Sequence, residues 1–426
     1  MRKINPIFIV LGLSVLLILL TEFIKAVREN VFYALLGLLI VSCFIFWRKK
    51  QREDLYFVSF IFLAFLISRL IFNGLDQPTL VLRTASILAF TLLSLVLLIG
   101  PWSRFSDKVI RIYHFRRHLG VSVFLLGWLH FAIVISQYFD LSIQNALSSI
   151  FVFYGFTAFS IMFWMAVTSW DYVQKKVKPF WWKIAHAALL VIYLGNVYFF
   201  YTIQKAIADP TLKYHLIVIG FFILFWILVA PYSIINKIMK TYVFGWKQLH
   251  VLLYIAYFSL VLHVLFGALT TQGLALKSIF YASVAFVLGS HAAGWIKKIR
   301  EDSRIYSKIR LINIRFTEEG KEFIGVAKVN ELAEGIGKKT YINKRPVALF
   351  KYGNNFFAIS NTCKHQKGPI YKGKIEYGVV ECPWHHWTYR LEDGCFPGKE
   401  KDCLPVYETR VKDGILFVGP QAIKKD

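Results

Sequence analysis

Cys363-Lys364-His365 and, 16 residues further on, Cys382-Pro383-Trp384-His385 decide how the last part of this chain reads. The pattern is C-x-H-x16-C-x-x-H, and each short pair offers one sulfur and one nitrogen. Two thiolates on one iron and two neutral imidazoles on a second iron hold a two-iron cluster. Imidazole in place of thiolate lowers the negative charge around the irons and raises the reduction potential. A structural zinc ion with Cys₂His₂ ligands is the competing reading. A zinc finger puts both cysteines in one pair and both histidines in the other, whereas here the pairs are mixed.

Around the two pairs lie short candidate strands: Ile309–Arg315, Val347–Lys351, Phe356–Ser360, Val379–Cys382 and Gly414–Val418. Turns such as Tyr352-Gly353-Asn354-Asn355 and Asp413-Gly414 separate them. A small all-β domain over 305–426 is expected. The approach Phe357-Ala358-Ile359-Ser360-Asn361-Thr362, Gly373 after the first pair and Asp393-Gly394 after the second extend the motif. With them, residues 309–418 resemble a Rieske-type ferredoxin domain. The resemblance implies a [2Fe-2S] cluster with Cys363, His365, Cys382 and His385 as metal ligands. Lys364 replaces the usual proline, and His386 occupies a frequent glycine position. Rieske proteins of respiratory complexes bridge their loops by a disulfide; those positions are Gly368 and Trp384 here. The domain is therefore similar to the ferredoxin and oxygenase kind, which suits a reducing compartment. Cys395 and Cys403 receive no role. Lys364, Lys367 and Lys372 read either as a dock for an acidic donor or as a solvated basic loop.

Upstream the chain changes character. Of its 426 residues 57% are hydrophobic and only 18% charged, below the roughly 25% of soluble domains. Residues 1–300 hold 28 basic and 9 acidic residues against 22 and 16 in 301–426. Ten apolar stretches precede residue 300: 6–24, 31–47, 56–73, 80–101, 118–138, 150–169, 181–203, 213–234, 246–268 and 275–296. Most approach the ~20 residues a membrane-spanning helix needs, and nothing alternates like a barrel strand. The first stretch lacks a cleavage site and reads as a retained helix. Loops 48–54, 102–117, 170–180 and 235–247 are rich in Lys and Arg, while 74–79 and 139–149 have none. Basic loops stay cytoplasmic. The expected architecture is thus a multi-pass α-helical bundle of about ten helices with both termini, and the C-terminal all-β domain, in the cytoplasm. The net charge of +25 is mostly this topology signal, so nucleic acid is a poor partner. The lipid bilayer is the expected one.

Histidine within lipid is a functional candidate. His130, His186, His250, His263 and His291 fall in apolar stretches, and His118 starts one. His215 begins a helix on the outer side and reads as interfacial. His250 and His263 share one stretch; 13 residues separate them by about 20 Å, most of a ~30 Å hydrocarbon core. His263 and His130 then lie towards the outer side, and His118, His186, His250 and His291 near the inner one. Two layers suit two b-type haems. Thirteen residues at ~100° each point His250 and His263 to different faces of an ideal helix, so a kink or bulge is required. The plainer reading is histidines merely hydrogen-bonded inside the bundle.

Arg116-Arg117-His118-Leu119-Gly120 followed by His130 resembles the ferric-reductase-like transmembrane family. This family includes the NADPH oxidase core and the haem-binding membrane subunit of the methionine sulfoxide reductase system. Thr168-Ser169-Trp170-Asp171 with Trp182-Lys183-Ile184-Ala185-His186 is similar to that subunit. The resemblance implies His130 as an outer haem ligand. The family's second histidine on the Trp-Lys-x-x-His helix falls at Phe199 here. A second copy, Trp246-Lys247-Gln248-Leu249-His250, reaches His263 at the expected offset, as a duplicated hairpin would. The family's first histidine position holds Arg116, which leaves the inner haem open between His118, His186, His250 and His291.

The expected division is 1–79 as N-terminal transmembrane helices, 80–300 as the haem-binding transmembrane domain and 305–426 as the Rieske-type domain. No nucleotide-binding glycine loop occurs, so a flavin or nicotinamide domain is not expected. The expected function is electron transfer across the membrane from a cytoplasmic donor protein or reductase, through the [2Fe-2S] cluster and one or two haems. The outer acceptor is ferric iron, a quinone, oxygen or a periplasmic protein. Reverse flow from a quinol or outer donor to a cytoplasmic oxygenase-type partner is the first alternative, and a membrane redox sensor the second.

Overall fold

A computed structural model describes residues 52–139, 142, 145–146, 148–168, 179–229, 252–312, 314–364, 367–384 and 386–423. The expected helices at 6–24 and 31–47, and His250, lie outside the described residues. A helical region is followed by a C-terminal β-sheet domain. The helices are α1 (Arg52–Ile71), α2 (Gln77–Trp102), α3 (Asp107–Arg111), α4 (Arg116–Tyr138), α5 (Ile150–Thr168), α6 (Pro179–Ala206), α7 (Leu212–Val229), α8 (Leu253–Phe266) and α9 (Leu274–Ile312). A 3₁₀ turn, Tyr113–Phe115, leads into α4.

The apolar runs that read as spans are helices because lipid leaves the backbone no other partner. Among the described residues, Gln77–Trp102, Leu119–Tyr138, Leu253–Thr271 and Leu274–Arg310 are long and apolar enough to cross a membrane. Asp76 caps α2 through its Oδ2, which accepts the Thr79 N–H at 3.1 Å. Pro101 in the last turn of α2 ends it. Large apolar side chains face outward, with Leu274 81% and Leu70 79% exposed, as lipid-facing surfaces require.

The chain forms two compact units. One runs to Val96 and resumes over Arg117–Ala285; the other comprises Leu97–Arg116 and Phe286–Asp426. In the first, α5 packs along α8, and Phe90 of α2 stacks on Tyr257 of α8 with ring centroids 6.0 Å apart. His215 on α7 is buried against Phe266 and hydrogen-bonded to the Tyr154 hydroxyl at 3.1 Å. Its ring is packed inside the helical unit.

Helix α9 runs 39 residues, about 58 Å at ~1.5 Å per residue, and so continues past its apolar part; its residues from Phe286 on belong to the second unit. The expected strand at Ile309–Arg315 is a correction: the helix holds to Ile312, and β1 is Arg315–Glu318. The charged end of α9 is stabilised by what it carries. Tyr306 stacks on Tyr341 at 4.6 Å, and Asp302 accepts from Lys339 Nζ at 2.7 Å and Tyr341 Oη at 2.8 Å. Tertiary packing thus overrides the alternating pattern.

The domain has an antiparallel seven-stranded sheet of order β1-β2-β12-β11-β5-β4-β3. Its remaining strands are β2 (Lys321–Lys328), β3 (Lys338–Ile342), β4 (Arg345–Tyr352), β5 (Asn355–Ser360), β11 (Val406–Lys412) and β12 (Ile415–Ile423). A second sheet is β6 (Lys374–Glu376), β7 (Val379–Glu381) and β8 (Thr388–Arg390). The hairpin β9 (Cys395–Phe396) and β10 (Lys399–Cys403) is closed by a Cys395–Cys403 disulfide. One core joins the sheets around Phe350, Ile359, Val380, Tyr389 and Leu404, and includes Cys363 and Cys382.

Candidate functional sites

Two loops present the cysteines. The first follows β5 and is closed by the Thr362–Pro369 bridge; the second connects β7 to β8. Both use the same backbone device. Lys367 N–H donates to Cys363 O at 2.9 Å, and His386 N–H to Cys382 O at 3.0 Å. Both donors are left-handed, with φ of 65° at Lys367 and 59° at His386. This explains why glycine is frequent at the His386 position. Two neighbouring glycines permit the loops to approach. A Cβ on Gly368 would fall 2.7 Å from Cys382 Sγ and 3.1 Å from the Trp384 ring. One on Gly373 would fall 2.3 Å from Glu381 O and 2.9 Å from Ile370 O. These are backbone atoms and cannot swing aside. Gly373→Ala is expected to cost about 1–3 kcal/mol by overpacking, read as a lower thermal midpoint.

Cys363 and Cys382 are buried, 1% and 0% exposed, and neither belongs to the Cys395–Cys403 disulfide. The Tyr389 hydroxyl lies 3.2 Å from Cys363 Sγ and accepts the Lys364 N–H at 3.2 Å. Burial, then the Cys363 contact, raises the Tyr389 pKa far above the usual phenol range, so the hydroxyl keeps its proton and is available to donate to a thiolate at Cys363. His365 and His385 lie outside the described residues. Tyr389 is missed by sequence reasoning, since 26 residues separate it from Cys363. Lys372, read as a docking lysine, instead pairs with Asp107 at 3.0 Å.

The other site is in the helical unit. His130 on α4 and His263 on α8 are both half-buried, their ring centroids 5.9 Å apart and their planes at 90°. His263 Nδ1 donates to Phe151 O at 2.7 Å, and His130 Nδ1 faces Leu82 O at 3.5 Å. A carbonyl accepts only, so the His263 proton sits on Nδ1 and its Nε2 carries a free lone pair. Histidines that bind metal are oriented in this way. An edge-to-face ring pair packed in a core has a similar separation, and a core histidine also donates Nδ1–H to a carbonyl, so the pair fits both readings and haem content of His130 and His263 variants separates them. Gly155 makes the geometry possible. A Cβ there would lie 2.6 Å from His263 Nδ1. Its signal in the sequence is a lone glycine inside an apolar helix.

The structure brings only His130 and His263 together among the described candidates. His118 is at the start of α4 and His186 on α6, but their side chains are outside the described residues, as is all of His250. His291 is on α9.

Comparison with known proteins matches two segments. Residues 322–408 match the family described as Rieske [2Fe-2S] domain, and residues 85–197 the family described as ferric reductase like transmembrane component. A 3-phenylpropionate/cinnamic acid dioxygenase ferredoxin subunit of Photorhabdus laumondii is 35% identical over 97 residues, 22% of this chain and 90% of that protein. An alkene monooxygenase system ferredoxin component of Xanthobacter autotrophicus is 26% identical over 106 residues, 25% of this chain and 87% of that protein. Among solved structures, the ferredoxin of carbazole 1,9a-dioxygenase from Nocardioides aromaticivorans matches with 21% identity and a TM-score of 0.22, covering 23% of this chain and 98% of that one.

Proposed function

Because this chain belongs to the Rieske [2Fe-2S] family through its C-terminal domain and joins it to a ferric reductase like transmembrane component, we propose that it moves electrons across a membrane. In this reading a cytoplasmic donor reduces the Rieske domain, and haem in the helical unit passes the electron to an acceptor on the outer side. The observation that carries the reading is the His130–His263 pair, half-buried, 5.9 Å apart and turned by backbone carbonyls.

Cys363, His365, Cys382 and His385 would hold the [2Fe-2S] cluster, and His130 and His263 the outer haem. The inner haem, where there is one, would use His118, His186 or His250. When bound, cluster and haem each take up and release single electrons without making or breaking a covalent bond. The residues around them orient and tune. Phe151 O fixes the His263 tautomer, Gly155 leaves its ring room, and Tyr389 donates to Cys363 Sγ. Reduction adds negative charge, so a donor to the cluster sulfur stabilises the reduced state. Tyr389→Phe is expected to lower the cluster midpoint. A hydrogen bond of about 0.5–1.5 kcal/mol corresponds to roughly 20–65 mV for one electron. Protein-film voltammetry or an EPR titration reads it, and an unchanged midpoint would refute the tuning role.

The proposed topology is ten helices with both termini inside. Its support is loop 102–117, which carries five Lys and Arg residues and, up to Arg116, shares a compact unit with the Rieske domain. Cys395–Cys403 tests it. Disulfides are rare in the cytoplasm. The bond seen between Cys395 and Cys403 counts against a cytoplasmic domain, so the proposed topology requires it to be open in the cell: alkylation of intact cells should then trap both as thiols, and a bond fully formed in vivo would reverse the topology.

Purified protein is expected to contain about two iron and two sulfide per cluster, plus b-type haem. Cluster without haem would overturn the proposal. A second reading draws on the names of the relatives, which are ferredoxins of oxygenase systems. There, an outer donor or quinol would feed a cytoplasmic oxygenase-type partner. A redox titration separates the two: a cluster midpoint far above both haems favours this reversed flow.

A further inference from the structure

The second cysteine loop, and Lys372 three residues past the end of the first, touch one short segment far away in the sequence. Trp384, beside His385 in the second loop, stacks on Tyr113 with ring centroids 3.9 Å apart and planes at 12°. The Trp384 ring also covers Gly368 of the first loop, where a Cβ would come within 3.1 Å of it. Lys372, just after the first loop, pairs with Asp107 at 3.0 Å. Tyr113 is itself held. Its hydroxyl accepts from Arg116 Nη1 at 2.6 Å, and that guanidinium lies 4.9 Å from the ring centroid. Arg116 is the first residue of α4, the helix that bears His130. All these residues belong to the same compact unit.

We propose that Asp107–Arg116 is a built-in dock for the cluster loops, with Tyr113 as the positioning residue that ties the second loop to the start of α4. The inference rests on the electron-transfer reading for its purpose, but not for its geometry. Its partner is a segment of this chain, an aromatic face flanked by one carboxylate. The stack is the main contact, because the Asp107 side chain is 84% exposed and an exposed ion pair adds little. The ion pair selects orientation. A soluble ferredoxin leaves such a face open for successive partners; here it is covered by a tethered one. A diffusing donor must then use another side of the domain.

The test uses the full chain in nanodiscs. Hydrogen exchange is measured at 107–116 and 382–388, with strands β4 and β5 as internal reference. Tyr113→Ala is expected to speed exchange in both segments about three- to tenfold, the worth of one aromatic pair, with the cluster EPR signal unchanged. Tyr113→Phe keeps the stack but loses the Arg116 hydrogen bond, so its exchange should lie between those of the parent and Tyr113→Ala. Asp107→Lys should raise exchange less, and Asp107→Lys combined with Lys372→Asp should restore it at low salt. Unaltered exchange in Tyr113→Ala, or faster exchange in that segment alone, overturns the dock. A second readout, the rate at which reduced cluster reduces haem, should fall at least as much in Tyr113→Ala and recover in part in Tyr113→Phe. Should the parent protein show no cluster-to-haem transfer, the electron-transfer reading fails, and the exchange data still decide the dock.

Discussion

Under the proposed function, His263→Ala is expected to retain the cluster signal, to lose one equivalent of b-type haem and to bring reduction of an outer acceptor down to background. The expectation follows from the position of the ring. His263 reaches across from α8 to the Phe151 carbonyl on α5, and His130 comes from α4. Where His130 and His263 hold haem, removing one imidazole would leave it with a single protein ligand. Loss of even an orienting partner of a metal ligand costs ~10–100-fold in affinity, and loss of the ligand itself costs more. His130→Ala should give the same phenotype. Gly155→Val is the informative companion, because it alters no ligand. Its Cβ alone would come 2.6 Å from Nδ1, so the ring must turn away from the carbonyl. A shifted haem spectrum with partial occupancy is expected. Full haem content in both alanine variants would leave His130 and His263 as a packed ring pair, and the electron path through the membrane would have to be abandoned.

What could be read from the sequence followed the range over which each signal acts. Cys363-x-His365 and Cys382-x-x-His385 are legible because ligand pairs sit two or three residues apart, so the spacing is itself the chemistry. The apolar helices are legible because lipid imposes length and composition on each one separately. His130 and His263 could be sorted by depth, yet their meeting depends on Gly155, a residue with no side chain to notice. Position along a helix gives depth and not the face, so the burial of His215 against Tyr154 is not legible in the sequence. The end of α9 read as a strand because Leu311-Ile312-Asn313-Ile314-Arg315 alternates, while the contacts that keep Ile309–Ile312 helical come from Asp302 and Tyr306 meeting β3. Tyr389 and Tyr113 were invisible for the same reason: a residue that acts through a neighbour 26 or 271 positions away has no local pattern.

Cys382→Ser is expected to abolish the cluster, and the same holds for Cys363→Ser. Both sulfurs sit in the apolar core with Phe350, Ile359, Val380 and Leu404, so each substitution acts twice. It replaces a soft thiolate by a hydroxyl that holds iron poorly, and it leaves a buried polar group without its metal, at about 1–3 kcal/mol. Because metal binding and folding are linked, the thermal midpoint of the β domain should fall together with iron and sulfide content. The order of effects separates this site from a structural zinc site. A two-iron cluster predicts that the serine variants lose iron and sulfide together, with the visible absorption, while haem stays bound to the helical unit. A zinc site predicts parent protein with zinc, no sulfide and no visible band, and serine variants that differ from it only in stability. Haem retained but no longer reducible from the cytoplasmic side, in a variant whose helical unit is untouched, would show that electrons enter through the domain held by Cys363 and Cys382.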